Sequence, residues 1–192
     1  MSGEGKGGLE DVVVSTSDIC FIDGREGRLL YRGFDVNDLV ERSSFEEVVY
    51  LLWHGGLPSR KDLDAHLKSL SATATRRLPP KLIGILRALP KKTTPMEVLR
   101  TGVSALAAFD PDAADNSREA TARKSLRLTA RLPTLVAAWE RIRRGKPLVA
   151  PNPKLSLAAN FLTMMSGKMP TPLEVKTFDV ALILHADHEF NA

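Results

Sequence analysis

Thr171-Pro172-Leu173-Glu174-Val175-Lys176-Thr177-Phe178-Asp179-Val180-Ala181-Leu182-Ile183-Leu184 runs directly into His185-Ala186-Asp187-His188-Glu189-Phe190-Asn191-Ala192. Thr171 suits an N-cap, Pro172 the first helical position, and Glu174 closes a capping box three residues after the cap. Val175, Phe178, Leu182 and His185 follow at spacings of 3, 4 and 3. One apolar stripe of a helix therefore leads into the first histidine, with His188 expected one turn further on. Two imidazoles, two carboxylates and an amide gather where that helix ends.

Three chemistries fit this cluster. Imidazoles one turn apart can share a metal ion if a third ligand arrives from elsewhere. Alternatively, His185 is a core histidine bonded to backbone and His188 a cation at the negative end of the helix dipole, the reading that spacing alone favours. The third is a set of donors for a small anionic substrate.

The segments ahead of this helix repeat its grammar. A helix over Ser156 to Ser166 stops at Gly167. Before it lies the longest helical stretch, with Leu128, Leu132, Leu135, Trp139 and Ile142 as the buried face and Pro133 expected to kink or divide it. The polar break Asp110 to Asn116 separates it from a Thr94-Pro95-Met96-Glu97 helix start, whose stripe is Met96, Leu99, Val103 and Leu106. Pro79-Pro80 and Ser59 with Asp62 open two more helices. Ser44 and Glu47 form a capping box for Phe45, Val48, Val49, Leu52 and Trp53, a buried helical face that Gly55-Gly56 and Pro58 terminate. Asp35 caps a short helix through Leu39 and Val40.

Residues 18–34 read differently: Ile19, Phe21 and Ile22, then Asp23-Gly24-Arg25-Glu26-Gly27, then Leu29, Leu30 and Tyr31 make a β-hairpin. The fold class is mainly α with a small N-terminal β-hairpin. Its expected divisions are a flexible leader over 1–17, the hairpin over 18–34 and a helical portion over 35–192.

Composition sets the bounds. A chain of 192 residues, 43% hydrophobic and 26% charged, can bury a sizeable core. A single cysteine, Cys20, excludes an intramolecular disulfide framework. No stretch approaches the roughly 20 apolar residues of a membrane span, and Met1-Ser2-Gly3-Glu4-Gly5-Lys6 lacks an apolar signal core, so the cytoplasm is expected. The net charge of +4 is partly carried by Arg123, Arg127 and Arg131, spaced i, i+4, i+8, followed by Arg141, Arg143, Arg144 and Lys146. Without a docking motif, zinc spacing or stacking platform, these read as a solvated cationic face and no nucleic acid is expected. Tyr50, Met164 and Met165 read as packing residues, and His54 and His66 as surface or core-edge histidines.

His185-Ala186-Asp187-His188-Glu189-Phe190-Asn191-Ala192 resembles the central motif of the citrate synthase family, which includes the 2-methylcitrate synthases. The similarity extends to Gly8-Leu9-Glu10-Asp11-Val12-Val13, Ile22-Asp23-Gly24, Gly27-Arg28-Leu29-Leu30-Tyr31-Arg32-Gly33-Phe34-Asp35, Phe45-Glu46-Glu47-Val48, Pro133-Thr134-Leu135-Val136-Ala137-Ala138 and Ala158-Ala159-Asn160-Phe161-Leu162, in order. The pattern is that of the shorter bacterial and archaeal members and covers the chain from Gly8.

This resemblance implies a transferase that condenses acetyl-coenzyme A with oxaloacetate to give citrate and coenzyme A, a tricarboxylic acid cycle reaction, or one that uses propionyl-coenzyme A to make 2-methylcitrate. It implies that His188 and Asn191 bind oxaloacetate and that His185 shapes their pocket. It further implies a homodimer, no metal and no covalently bound cofactor, with acetyl-coenzyme A as cosubstrate. The family's Pro-Leu-His-Gly-Gly-like and Gly-x-Gly-His-like segments and its aspartate base are absent from these residues. The chain is accordingly expected to be an amino-terminal fragment, inactive alone, with no catalytic residue of its own and with apolar helix faces exposed. A noncatalytic helical protein that binds a protein partner or a small acid is the alternative.

Overall fold

The computed structural model describes residues 17–188, so all of the 1–17 leader except Ser17, and Asn191 with its neighbours, lie outside the described residues. Cys20–Asp23 (β1) pairs antiparallel with Arg28–Tyr31 (β2), Cys20 facing Tyr31 and Asp23 facing Arg28. Asp23 Oδ1 makes the turn by accepting the amide hydrogens of Arg25 and Glu26, each at 3.0 Å. The hairpin gains a third strand: Phe34–Asp35 (β3) pairs with β2, Tyr31 facing Phe34. Two residues are too short to show alternation, so the sequence pattern does not reveal this strand. The link Arg32-Gly33 takes φ values of 50° and 85°, the positive pair that a tight turn between right-twisted strands needs. In Arg32 that conformation costs about 1 kcal/mol. Its guanidinium offsets the cost by donating to the Leu52 carbonyl at 3.0 Å.

The helices are Val36–Arg42 (α1), Phe45–His54 (α2), Arg60–Ser71 (α3), the single turn Thr73–Arg76 (α4), Pro80–Ala88 (α5), Pro95–Ala107 (α6), Arg118–Arg143 (α7), Leu157–Ser166 (α8) and Pro172–Leu184 (α9). Three begin with complete capping boxes: Ser44 with Glu47, Thr94 with Glu97, and Thr171 with Glu174. Ser59, Ser117 and Ser156 cap α3, α7 and α8. Each such cap is worth about 1 kcal/mol. Gly55 and Gly167 end α2 and α8 in the left-handed conformation.

The 26-residue α7 is the spine, roughly 40 Å long. Pro133 lies inside it without dividing it. The proline forfeits one ladder bond, while Thr134, Leu135, Ala137, Ala138 and Trp139 immediately beyond are buried and hold the helix in place. Leu135 and Trp139 pack with Leu82 and Leu86 of α5 and Val98 and Leu106 of α6. A Cβ on Gly102 would stand 2.7 Å from Leu135 Cδ2, so this glycine permits the close approach of α6 to α7. The buried stripe of α6 is therefore Val98, Gly102 and Leu106. Met96, expected on the stripe, is 71% exposed, and Leu128 of α7 is exposed as well.

The arginines are paired as well as solvated: the side chains of Arg123 and Arg144 are 51% and 58% exposed, while that of Arg127 is only 17% exposed. Arg127 grips Asp110 at 2.6 and 2.8 Å and reaches Asp112 at 2.6 Å, and Arg123 takes Asp112 at 2.7 and 3.0 Å. Arg131 donates to the Thr75 carbonyl at 3.1 Å, Arg141 to that of Pro147 at 2.5 Å, and Arg143 and Arg144 both pair with Glu140. Arg76, almost wholly buried, donates to the carbonyls of Leu70, Asn152 and Leu155, each at 2.9 Å. Arg76, Arg123, Arg127 and Arg141 thus fasten loops to helices, Arg131 ties α7 to α4, and Arg143 and Arg144 pair within the end of α7.

Hydrogen bonds from Arg127 hold the Asp110 carboxyl below the usual carboxylate range, and those from Arg123 and Arg127 do the same for Asp112. A lowered folded value places the stabilisation at higher pH: it is fully present above about pH 4 and is lost as the pH falls through the folded values. Urea midpoints followed from neutral to acid pH are expected to fall more steeply for the wild type than for an Asp110→Asn, Asp112→Asn double variant. Equal slopes would show that the clamp contributes nothing to stability.

Candidate functional site

The site begins with the way α9 is held. Ile183 is completely buried among Tyr31, Val36, Leu39, Val48 and Leu51. One turn earlier Asp179, 8% exposed, accepts the amide hydrogen of Phe45 at 3.3 Å, the first residue of α2. Lys176 donates to the Val40 carbonyl at 2.7 Å. Phe178 stacks on Phe161 of α8 with ring centroids 4.9 Å apart. The deeply buried line is thus Asp179 and Ile183, one residue round from the expected Val175, Phe178 and Leu182, which are half-buried. A helix wedged between neighbours on several sides buries more than a single stripe.

Burial raises the Asp179 carboxyl above its ordinary range, against the lowering effect of the Phe45 amide. Glu46, 2% exposed, is raised in the same way by burial, and the negative charge of Asp179 adds to it. Its Oε1 accepts the amide hydrogen of Leu157 at 2.7 Å, the first residue of α8. Both buried acids are therefore spent on helix N-termini.

The helix ends at Leu184, earlier than the pattern suggests, and His185 is its C-cap. His188 consequently lies beyond the helix and not one helical turn on from His185. His185 is exposed and so not a core histidine, although its Nδ1 does make the backbone contact of that reading, 2.7 Å from the Ala181 carbonyl oxygen. That contact places the proton on Nδ1 in the neutral ring and leaves Nε2 as an acceptor. Ala186 then packs against the cluster around Ile183. The Asp187 amide donates to the Tyr31 hydroxyl at 3.4 Å, and that hydroxyl donates to the Asp187 carbonyl at 3.3 Å. His188 follows, exposed. Asn191 belongs to the expected site but lies outside the described residues.

The structure thus brings His185 and His188 to one solvent-facing end of α9, on backbone tied to the hairpin. An exposed imidazole there can donate to or accept from a polar ligand. Among the described residues no group of three or more His, Cys, Asp and Glu side chains is arranged to hold a metal ion. No helix of these residues is long and apolar enough to cross a membrane.

Cavities do not locate the site. One of about 300 Å³ between α6 and α7, lined by Met96, Leu99, Leu135 and Trp139, is apolar and touches neither histidine. A wider recess of about 620 Å³ lies among Tyr50, Trp53, His54, His66 and Arg118. His66, expected at the surface or core edge, is 8% exposed, with the rings of Tyr50 and Trp53 set edge-on to it at 5.4 and 5.7 Å. Burial lowers its pKa, and its Nε2 is sealed from solvent without a hydrogen-bond partner among the described residues. The histidines at the end of α9 are the better candidate because they are both reachable and anchored. Tyr31 and Asp179, the residues that anchor them, carry no local sequence signal of that role.

Comparison with known proteins gives the class. The family description "Citrate synthase, C-terminal domain" matches residues 8–192. Citrate synthase of Haloferax volcanii is 46% identical, over 100% of this chain and 51% of its own length. A 2-methylcitrate synthase of Mycobacterium tuberculosis is 43% identical, over 97% of this chain and 47% of its own. Among solved structures, citrate synthase of Pyrobaculum aerophilum superposes with a TM-score of 0.87 at 37% identity, covering 94% of this chain and 47% of that one. Citrate synthase of Thermoplasma acidophilum, solved as a ternary complex with carboxymethyl coenzyme A and oxaloacetate, gives 0.85 at 27%, covering 96% and 48%. The chain belongs to the citrate synthase family. It spans about half the length of the curated relatives it matches.

The hold on α9 is measurable. Asp179→Ala removes the acceptor of the Phe45 amide at the start of α2, leaving the Ser44–Glu47 capping box in place, and is expected to lower unfolding free energy by about 1–2 kcal/mol. Asp179→Asn, which keeps an acceptor without a buried charge, is expected to cost less than half of that. Chemical denaturation at neutral pH compares them, and equal losses would mean that charge, not the hydrogen bond, holds the two helices together.

Proposed function

We propose that this chain provides the oxaloacetate-binding side of a condensing active site, in an enzyme that joins acetyl-coenzyme A to oxaloacetate and releases citrate and coenzyme A. The observation that carries the reading is His188, an exposed imidazole on anchored backbone at the end of α9, within the motif that marks the family resemblance. A dicarboxylate needs donors set in place before it arrives, because fixed dipoles stabilise developing charge without reorganising. His188 serves as such a donor to an oxaloacetate oxygen, Asn191 adds an amide to the same pocket, and His185 shapes it. The ternary complex known for the Thermoplasma acidophilum enzyme supports oxaloacetate as the ligand class.

Neither buried carboxylate acts as a base here, since Glu46 and Asp179 are engaged with the amides of α8 and α2. Lacking also the family's Pro-Leu-His-Gly-Gly-like and Gly-x-Gly-His-like segments, the 192 residues alone do not turn over. The working enzyme is a cytoplasmic homodimer without metal or covalent cofactor. Apolar side chains exposed on this chain, such as Met96, Met169 and Leu173, suit association. Relatives of both kinds, citrate and 2-methylcitrate synthases, support the reaction class equally.

Coenzyme A release from acetyl-coenzyme A and oxaloacetate tests this, using the chain alone beside a chimaera completed with the remaining half of the Haloferax volcanii relative. No release from the chain and release from the chimaera are expected, with His188→Ala slowing the chimaera by about 100-fold. Turnover by the chain alone would sink the proposal that its residues lack a base, and an unimpaired His188→Ala would remove the assigned role. The same assay with propionyl-coenzyme A separates the two acyl preferences.

A further inference from the structure

We infer that Tyr31 is a positioning residue for His188, its hydroxyl holding the backbone from which that imidazole projects. The inference rests on the oxaloacetate role proposed above for His188. Tyr31 sits at the centre of the three-stranded sheet, facing Cys20 on one side and Phe34 on the other, and its side chain is completely buried. Packing alone would be served by phenylalanine, because the surroundings are apolar: Val36, Leu39, Val48, Leu51 and Ile183. A buried hydroxyl is costly unless it is hydrogen-bonded. This one is bonded, to a residue 156 positions away.

The place of that bond explains its use. The last turn of α9 closes with the His185 amide on Leu182 and the Ala186 amide on Ile183. Asp187 is the first residue past this ladder, so its backbone has lost the helix as a guide. The Tyr31 hydroxyl takes over, accepting from the Asp187 N–H at 3.4 Å and donating to its C=O at 3.3 Å. Burial keeps the phenol protonated at neutral pH and thus able to do both. With both backbone groups of Asp187 tethered to the sheet, the direction in which the chain delivers His188 is set by the hairpin. A donor displaced by about 1 Å from its ligand loses much of its value.

Tyr31→Phe in the 192-residue chain isolates the hydroxyl. Amide hydrogen exchange by NMR is expected to accelerate roughly tenfold at Asp187, the size of one lost hydrogen bond. Exchange at Leu182 and Ile183 should stay within about twofold, and Tm within roughly 3 °C. In calorimetric titration, oxaloacetate should bind about five- to tenfold more weakly to the variant, with no further loss when His188→Ala is already present. Unchanged exchange at Asp187 overturns the tether. A uniform acceleration along α9 with a large fall in Tm overturns it as well, since that is the mark of a merely structural tyrosine. A wild-type chain that fails to bind oxaloacetate strikes the substrate role of His188, while the exchange comparison still decides the tether by itself.

Discussion

Everything at the candidate site depends on the docking of α9 against the first elements of the chain. Ile183 supplies the apolar part, since burying an isoleucine side chain is worth roughly 1.5–3 kcal/mol. Asp179 supplies direction: a carboxylate that must find a donor when buried finds one at the first amide of α2. Apolar contact alone would let the helix slide or roll, because it has no preferred angle. The hydrogen bond selects one register. With that register set, the end of α9 meets the sheet and the histidines emerge where they do.

A second theme is the use of distant side chains to finish helices and loops. Glu46 of α2 completes the start of α8, Asp179 of α9 the start of α2, and Arg32 of the hairpin turn the end of α2. Arg76 gathers three carbonyls from two separate segments. Helix ends leave orphan donors and acceptors that must be satisfied wherever water is excluded. Here the solution crosses between elements, so local caps and tertiary contacts become the same bonds. Arg123, Arg127 and Arg141 serve loops in the same way.

What was legible in the sequence follows the range of each interaction. The capping boxes at Ser44, Thr94 and Thr171 act over three residues and could be read directly. The hairpin turn at Asp23 and the αL stops at Gly55 and Gly167 were equally local. The rotation of α9 that buries Asp179 was not legible, because it depends on which neighbours surround the helix. The arginines misled for a similar reason: their spacing is that of an exposed stripe, while the loop that folds back to meet Arg123 and Arg127 shows no periodicity. At the site, His185 and His188 stood out as residue types in a pattern, but the early end of α9 changed their geometry.

The separation of 156 residues between Tyr31 and Asp187 has a bearing on how the chain is made. The closure entropy of so long a loop must be met before the contact yields any return. On the ribosome the hairpin emerges before α9, and although α1 and α2 follow it closely, the part of its surface that Ile183 and Asp187 cover stays open until α9 has been synthesised. The residues that present His188 therefore take their places only after everything between the hairpin and α9 has been made, and the partners that Tyr31 finds in α9 are missing throughout that interval.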